Sequence, residues 1–322
     1  IELFQAHGKR GKATLIASLP HSMISIYTCR NYPDYLYGAM LPETKLLGQF
    51  ALDVEQSGVL IRTPDEMTDG KIRTRVEQPK FEHILSEAKE WAKILECPYI
   101  SDLNQINTEH RMGELIRISE ALQEKRIAQI ADHIASHRNN IRLILIAGPS
   151  SSGKTSFAQR LQIQLRVNGL HPIMISLDDY FLNREDTPRN EKGEYDYESI
   201  DAIDTALFNQ NMLELLNGHK VQIPYYNFIT GKREWRDDNF LLLKEDQPII
   251  IEGIHGLNER LTADIARKSK YKIYISALTQ LNIDAHNRIP TTEVRFLRRL
   301  VRDHQFRGAK AIKTIKQWPD VR

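Results

Sequence analysis

The chain has 322 residues, 41% of them hydrophobic and 27% charged, with a formal net charge of +2 at pH 7. That length allows two domains with real cores, and the composition is that of an ordinary soluble globular protein. The charge is too small to argue for a nucleic-acid or membrane partner on global grounds, no apolar run approaches the roughly 18 residues needed to cross a bilayer, and no secretory leader is visible. The two cysteines, Cys29 and Cys97, match no zinc or redox spacing and point to a cytoplasmic, reducing setting. The chain opens at Ile1 without an initiator Met and closes at Arg322 soon after a helical pattern, so further residues are expected at both ends.

Residues 1 to about 78 pattern as β structure. Ala13–Ala17, Met23–Tyr27, Tyr35–Tyr37 and Val59–Arg62 are short runs split by Pro20, Pro33, Pro42, Gly58 and Pro64. From Phe81 the period becomes helical: Ile84, Leu85, Ala88, Trp91, Ala92 and Leu95 share one face of a helix ending at Cys97-Pro98. A longer helix is expected from about Thr108 to His137, with Leu115, Ile118, Leu122, Ile127, Ile130 and Ile134 on its apolar side. The expected division is a smaller α+β domain over residues 1–105 and a second domain over 106–322.

Within the first stretch, Ile26-Tyr27-Thr28-Cys29-Arg30-Asn31-Tyr32-Pro33, followed by Lys45-Leu46-Leu47, resembles the second additional domain of threonyl- and alanyl-tRNA synthetases. In that family a Cys-Arg-Gly-Pro-His segment helps to edit mischarged tRNA. Pro33 stands where the family has its histidine, and the upstream His-x-x-x-His is absent, so editing is not expected. Cys29 reads as a buried small hydrophobe. An RNA contact, with Lys9-Arg10-Gly11-Lys12 as its basic cluster, or a structural role stays open.

The next stretch carries the strongest signal. The apolar run Ile144–Ala147 ends at Gly148, and Pro149-Ser150-Ser151-Ser152-Gly153-Lys154-Thr155-Ser156 follows. This is the full G-x-x-x-x-G-K-[ST] pattern between a strand and a helix. Gly148 and Gly153 admit backbone that a side chain would obstruct. The N–H groups of Ser150, Ser151, Ser152 and their neighbours form an anion-binding nest at a helix N-terminus. Lys154 supplies a point charge near the β- and γ-phosphates, and the Thr155 hydroxyl is a ligand for Mg²⁺. A Gly/Ser-rich turn alone would not need the strand, the Lys-Thr pair and the helix together. The chain is expected to bind a nucleoside triphosphate.

Beyond Thr155 strands and helices alternate. Phe157, Leu161 and Leu165 line one face of the helix after the loop, which Gly169 ends, and Pro172–Leu177 is a strand. Asp204–Leu216 is a helix with Leu207, Leu213 and Leu216 inward; Pro248–Ile251 is a strand, Asn258–Arg267 a helix, and Tyr271–Ser276 a fourth strand. Such alternation implies a parallel sheet with helices on both faces, and in such sheets ligands gather beyond the carboxyl ends of the strands. Two of those ends carry acids: Asp178-Asp179 and Glu252. A turn or a helix cap would explain Asp178-Asp179 equally well. Glu252, ending an apolar run, is costly to bury unless it is paired or bound to a metal.

Together these segments resemble the uridine kinase/phosphoribulokinase family of P-loop kinases over residues of about 140–310. The matching stretches are Gly148–Thr155, Ser176–Phe181, Tyr195-Asp196-Tyr197, Ile223–Phe228, Ile250–Ile254 and Arg298–Asp303. The resemblance implies an α/β P-loop NTPase fold of nucleoside-kinase type with an arginine-rich lid, Asp178 (or Asp179, one residue on) as the general base, and Mg²⁺ between Thr155 and Glu252. It implies that Asp196, or Glu198 in this longer segment, binds the ribose, and that Tyr226 and Phe228 line the nucleoside pocket on a strand. Where uridine kinases carry a histidine that contacts the pyrimidine, this chain has Gly231.

Arg295, Arg298, Arg299 and Arg302 share one face of the helix expected over Thr291–Phe306, with Val294, Leu297 and Val301 on another. By residue type alone this is a solvated or nucleic-acid-facing basic surface. By resemblance, Arg299 reaches the substrate sugar, while Arg302 and Arg307 reach the ATP phosphates; Ala309 replaces a further family arginine. The expected activity is ATP- and Mg²⁺-dependent phosphorylation of the 5′-hydroxyl of a nucleoside, most simply uridine or cytidine, by a homo-oligomer with no membrane partner. Two alternatives remain: a kinase of the same fold for another small alcohol, such as a sugar phosphate or pantothenate, and a nucleotide-switched RNA-binding or regulatory protein.

Overall fold

The computed structural model describes residues 1–38, 40–55, 58–64, 68–244 and 246–321. The side chains of Arg307 and Asp320 lie outside the described residues. The chain packs as two compact units: Ile1–Glu120 with Thr279–Pro290, and Ala121–Leu278 with Thr291–Arg322. The division falls inside a continuous helix, where composition carries no linker signal, and not near residue 105.

The first unit begins with α1 (Glu2–Ala6) and α2 (Arg10–Ala17), then the hairpins β1 (Tyr27–Cys29) with β2 (Tyr32–Asp34) and β3 (Ala51–Glu55) with β4 (Gly58–Arg62). Helices α3 (Pro79–Ile94), α4 (Ile100–Thr108) and α5 (Met112–Ser136) follow, the last leading into the second unit. The expected strand at Ala13–Ala17 is helical, because a five-residue apolar run has no decisive period and burial of Phe4, Ala13 and Leu15 decides it. Of Met23–Tyr27 only Tyr27 joins a strand, and Tyr35–Tyr37 follows β2 outside it. Cys29 is exposed and Cys97 is the buried cysteine, which reverses the expectation for Cys29.

A buried ion cluster ties this unit together. The Lys12 side chain, 3% exposed, meets Asp34 and lies 3.4 Å from Asp284, while Lys9 Nζ lies 3.1 Å from Asp34. Lys9 also sits 3.6 Å over the Tyr32 ring. Lys9 and Lys12 therefore have acidic partners and form no free basic patch.

The second unit holds β5 (Leu143–Ala147), α6 (Lys154–Val167), β6 (Ile173–Ser176), α7 (Thr205–Leu216), β7 (Val221–Gln222), β8 (Tyr225–Asn227), β9 (Lys232–Glu234), β10 (Phe240–Leu241), β11 (Ile249–Glu252), β12 (Lys270–Tyr274), α8 (Thr291–Arg307) and α9 (Ala311–Val321). The central sheet runs β12-β5-β11-β6 with every pairing parallel. All five residues of β5 are buried, and its side chains alternate between two cores. Leu143 and Leu145 join Ile249, Ile251 and the α7 residues Phe208, Met212 and Leu215. Ile144 and Ile146 join Ile250, Ile127 and Ile134 of α5, and Leu161 and Leu165 of α6. Helices thus cover both faces, as a parallel sheet requires.

Three local readings shift. The buried face of α7 is Phe208, Asn211, Met212 and Leu215, with Leu207, Leu213 and Leu216 at its margin. The expected helix at Asn258–Arg267 is two short 3₁₀ turns, Glu259–Thr262 and Arg267–Ser269, the first opened by Asn258 accepting from the Arg260 N–H. Phe228 lies just beyond β8, not on it.

The ion cluster makes a prediction. Burial opposes ionisation of Asp34, but hydrogen bonds from Lys12 and Lys9 outweigh it and hold the carboxyl below its ordinary 3.8. A depressed folded value means that this stabilisation is complete above the unfolded pKa and disappears as pH falls through the folded one. Asp34→Asn should leave the buried Lys12 with Asp284 alone as its carboxylate partner and cost about 3 kcal/mol at pH 7, with the difference vanishing in acid. Urea melts read by Trp91 fluorescence, in a background where Trp235 and Trp318 are phenylalanine, measure both.

Candidate active site

The register of the sheet builds the site. Glu252, the last residue of β11, pairs with Ile146 of β5 on one side and Ser176 of β6 on the other. The segments that leave those three strands are therefore neighbours: the 148–153 loop, Asp178-Asp179 and Glu252-Gly253. Crowding at the exits explains their glycines. A Cβ on Gly148 would stand 2.6 Å from the Ile275 carbonyl oxygen, and one on Gly253 would stand 2.6 Å from the Leu177 Cβ.

The loop wraps into the N-terminus of α6, with Gly153 at φ +100° as its N-cap and Ser151 at φ +62°. The Ser151 and Ser152 hydroxyls are buried without a hydrogen-bond partner among the described residues. Lys154 Nζ donates to the Pro149 carbonyl at 3.3 Å, and Ser156 lies exposed in the first helical turn. The Thr155 hydroxyl donates to Glu252 Oε1 at 3.1 Å. This loop suits a polyphosphate: backbone donors converge at a helix N-terminus, and the buried Ser151 and Ser152 hydroxyls stand ready to donate. The Thr155–Glu252 pair suits Mg²⁺, which takes hard oxygen ligands and keeps most of its sites for water and phosphate. Among the described residues no group of three or more His, Cys, Asp or Glu is arranged to hold a metal ion.

The charges are poised against their own burial. Burial pushes the Lys154 ammonium down, opposed by Glu252, Asp178 and Glu198. Burial and then the Asp178 charge push Glu252 up, with Lys154 and Thr155 opposing. Glu198 is likewise raised by burial, against Arg299 and Lys154. The two neighbouring aspartates separate here. Asp179 accepts the Tyr226 backbone N–H at 3.3 Å and so holds β8, whereas Asp178 acts electrostatically on Lys154 and Glu252. Asp196 folds back on its own loop and accepts from the N–H groups of Glu198 and Ser199, both at 3.1 Å. It is Glu198, two residues on, whose charge faces Lys154 and Arg299.

Tyr226 is 3% exposed and Phe228 is 59% exposed, with their ring centroids 5.1 Å apart. Phe181 stands 5.5 Å from Tyr226 and 6.2 Å from Tyr197, so four rings form one aromatic wall.

Helix α8 inverts the usual arrangement. Arg295 and Arg299 are no more than 9% exposed, Arg302 is half-buried and Arg298 exposed, while Leu297 and Val301 are more than half exposed. The reason is hydrogen bonding to the loop and ion pairing within the helix. Arg295 Nε donates to the Ser150 carbonyl at 3.1 Å, and Arg299 Nη1 donates to the Ser150 hydroxyl at 3.2 Å. Asp303, buried, accepts from Arg302 at 2.8 Å and from Thr314 of α9 at 3.1 Å, and lies 3.3 Å from Arg299. Arg299 thus touches the phosphate loop, Arg302 is held by Asp303, and the side chain of Arg307 lies outside the described residues. Arg295 was not singled out as a site residue by its spacing, because only packing distinguishes it from its neighbours.

A phosphate-binding loop between strand and helix, a carboxylate on the adjacent strand and an arginine helix against the loop define a P-loop nucleotide-binding α/β domain. The model of the Phosphoribulokinase / Uridine kinase family matches residues 143–322, and the chain belongs to that family of P-loop kinases. The uridine kinase of Schizosaccharomyces pombe is 34% identical over 180 residues, 55% of this chain and 35% of that protein. That of Saccharomyces cerevisiae is 32% identical over 55% of this chain and 32% of its own length. The uridine kinase of Staphylococcus haemolyticus is 30% identical over 56% of this chain and 78% of its own. The chain therefore spans about a third of the length of the two yeast relatives. No helix among the described residues is long and apolar enough to cross a membrane.

Asp303 is the pivot of the arginine face. Burial opposes its ionisation, but Arg302, Arg299 and Thr314 outweigh burial and hold its carboxyl below the ordinary 3.8. Asp303→Ala should lower stability by about 3 kcal/mol by stranding the buried Arg299 cation. Calorimetric melting of the variant beside the wild type checks it.

Proposed function

We propose that the chain is an ATP-dependent kinase that phosphorylates the 5′-hydroxyl of a nucleoside, with a pyrimidine nucleoside as acceptor, in the reducing cytoplasm that its free cysteines fit. The observation that carries this reading is the convergence of Lys154, Thr155, Glu252 and Asp178 at the ends of three adjacent strands, on the side where Asp179 anchors the aromatic wall. Phosphoryl transfer needs little covalent help; it needs positioning, charge neutralisation and a group to take the hydroxyl proton. In this reading the loop amides and Lys154 hold the β- and γ-phosphates. Mg²⁺ held at Thr155 and Glu252 would neutralise phosphate charge. Asp178 accepts the 5′-hydroxyl proton, Glu198 or Asp196 orients the ribose, and the base stacks among Tyr226, Phe228, Phe181 and Tyr197. Arg299, Arg302 and Arg295 take up charge developing on the transferred group. The regulatory RNA-binding alternative loses part of its basis, since Lys9 and Lys12 pair with acids.

Two outcomes test the roles. Asp178→Asn should bind ATP within about threefold of wild type and lose at least a hundredfold in kcat, the usual worth of a general base. Release of ADP is followed with MgATP and uridine, cytidine, purine nucleosides, ribulose 5-phosphate, pantothenate or no acceptor. A variant keeping a tenth of wild-type turnover would remove Asp178 from the role. Glu252→Gln should abolish turnover while raising the melting temperature of the ligand-free chain, because the buried carboxylate is costly next to Asp178. Differential scanning calorimetry without nucleotide reads the second effect.

A further inference from the structure

The hairpin β8–β9 turns through Phe228–Gly231, and Arg184 lies across that turn. Its backbone N–H donates to the Gly231 carbonyl at 2.8 Å, and its Nη2 donates to the Phe228 carbonyl at 3.2 Å. Gly231 has φ +70°, and a Cβ there would stand 2.6 Å from Arg184 Nε and 2.7 Å from Cζ. The guanidinium therefore lies against the glycine, and a Cβ there would displace it.

The neighbouring arginines are occupied. Arg233 pairs with Asp204 at 2.8 Å, Arg236 stacks 3.4 Å over the Tyr225 ring, and Arg189 donates to the Gly193 carbonyl and stacks over Tyr195. Arg184 pairs with no carboxylate among the described residues. It spends one N–H on the Phe228 carbonyl, and a guanidinium has several more, all donors in a rigid plane. Its charge also reaches the Tyr226 hydroxyl, whose pKa burial and Tyr197 push up and Arg184 pulls back. A donor-only fork with spare N–H groups thus stands at the edge of an aromatic wall that includes a 59% exposed Phe228.

We propose that Arg184 is the specificity-determining residue for the base, reading a pair of adjacent hydrogen-bond acceptors on its edge. This rests on the nucleoside-kinase reading above. A ring stacked on the exposed Phe228 presents its edge to the guanidinium, and a planar fork is satisfied by two acceptors side by side. Cytosine offers that pair in N3 and O2. Uracil interrupts it with the N3–H donor, which would face another donor. Selection then favours cytidine, because the guanidinium, exposed in the ligand-free chain, would be paired by the cytosine edge and would meet a like donor on uracil.

The test is steady-state kinetics with cytidine and uridine on the full chain. Wild type should prefer cytidine in kcat/KM by about tenfold or more, the order of one bidentate contact. Arg184→Met should raise KM for cytidine by about tenfold, hold kcat within about threefold, and bring the two nucleosides level. Arg184→Lys keeps the charge without the fork and should not restore the preference. Unchanged ATP affinity and melting temperature show that the variants are folded. Should the methionine variant be unstable, Gly231→Ala, which drives a Cβ into the guanidinium, carries the same expectation. Equal losses for both nucleosides, an unchanged cytidine KM, or wild-type preference for uridine would overturn the assignment while leaving nucleoside kinase activity standing. If no nucleoside stimulates ADP release from the wild type, the nucleoside reading itself fails and the assignment falls with it.

Discussion

The constraint on which the rest of the second unit depends is the in-register parallel pairing of β11 between β5 and β6. It sets Glu252 beside Ile146 and Ser176, so that three chain exits share one small volume. Little room is left there for Cβ atoms. Gly148, Gly253 and Gly256 each stand where an added Cβ would come within 2.7 Å of a neighbour. Burial of β5 on both faces makes that register hard to shift, because a one-residue slip would exchange the two cores. The phosphate loop, the Thr155–Glu252 pair and the acid of the next strand are consequences of one sheet geometry.

The site is also electrostatically tense. Lys154 is pushed towards neutrality by burial while Glu252 and Glu198 are pushed the same way from the other side of the scale. Lys154 and the two carboxylates relieve one another in part, and burial still dominates at each. A polyphosphate with its metal would supply the missing counter-charges together, which is how a site can bind them as a unit. The arginine helix follows the same logic. Asp303 sits on the buried face of α8 with Arg299 and Arg302 beside it, and Thr314 of α9 gives the carboxylate a further donor. Burying Arg295 and Arg299 on a helix that exposes Leu297 and Val301 is tolerable because those two cations have Ser150 and Asp303 to meet.

The first unit depends on a different device. Among the described residues its strands form two separate hairpins, and a buried Lys12 joins Asp34 to Asp284. Asp284 comes from residues 279–290, far along the chain, so the unit is assembled from two stretches of sequence. No local pattern could reveal that. The same limit explains why Ala13–Ala17 reads as a strand and is a helix, and why Lys9 and Lys12 read as a basic patch and are partners of an acid.

What the sequence by itself determined is what contiguous residues can build. Gly148–Thr155 makes a phosphate loop because successive backbone N–H groups suffice, and the alternation of strands and helices from Leu143 onward requires a parallel sheet with two covered faces. The acids after β6 and β11 were legible for the same reason, since each follows its own apolar run. Only the tertiary structure decided which groups meet. It turned Asp179 towards Tyr226 and left Asp178 to act on Lys154 and Glu252, brought Glu198 rather than Asp196 into the field of Lys154, set Arg295 and Arg299 on Ser150, and laid Arg184 on Gly231. Those pairings join residues distant in sequence, and their partners are chosen by strand order and close packing, which no spacing along a single segment encodes.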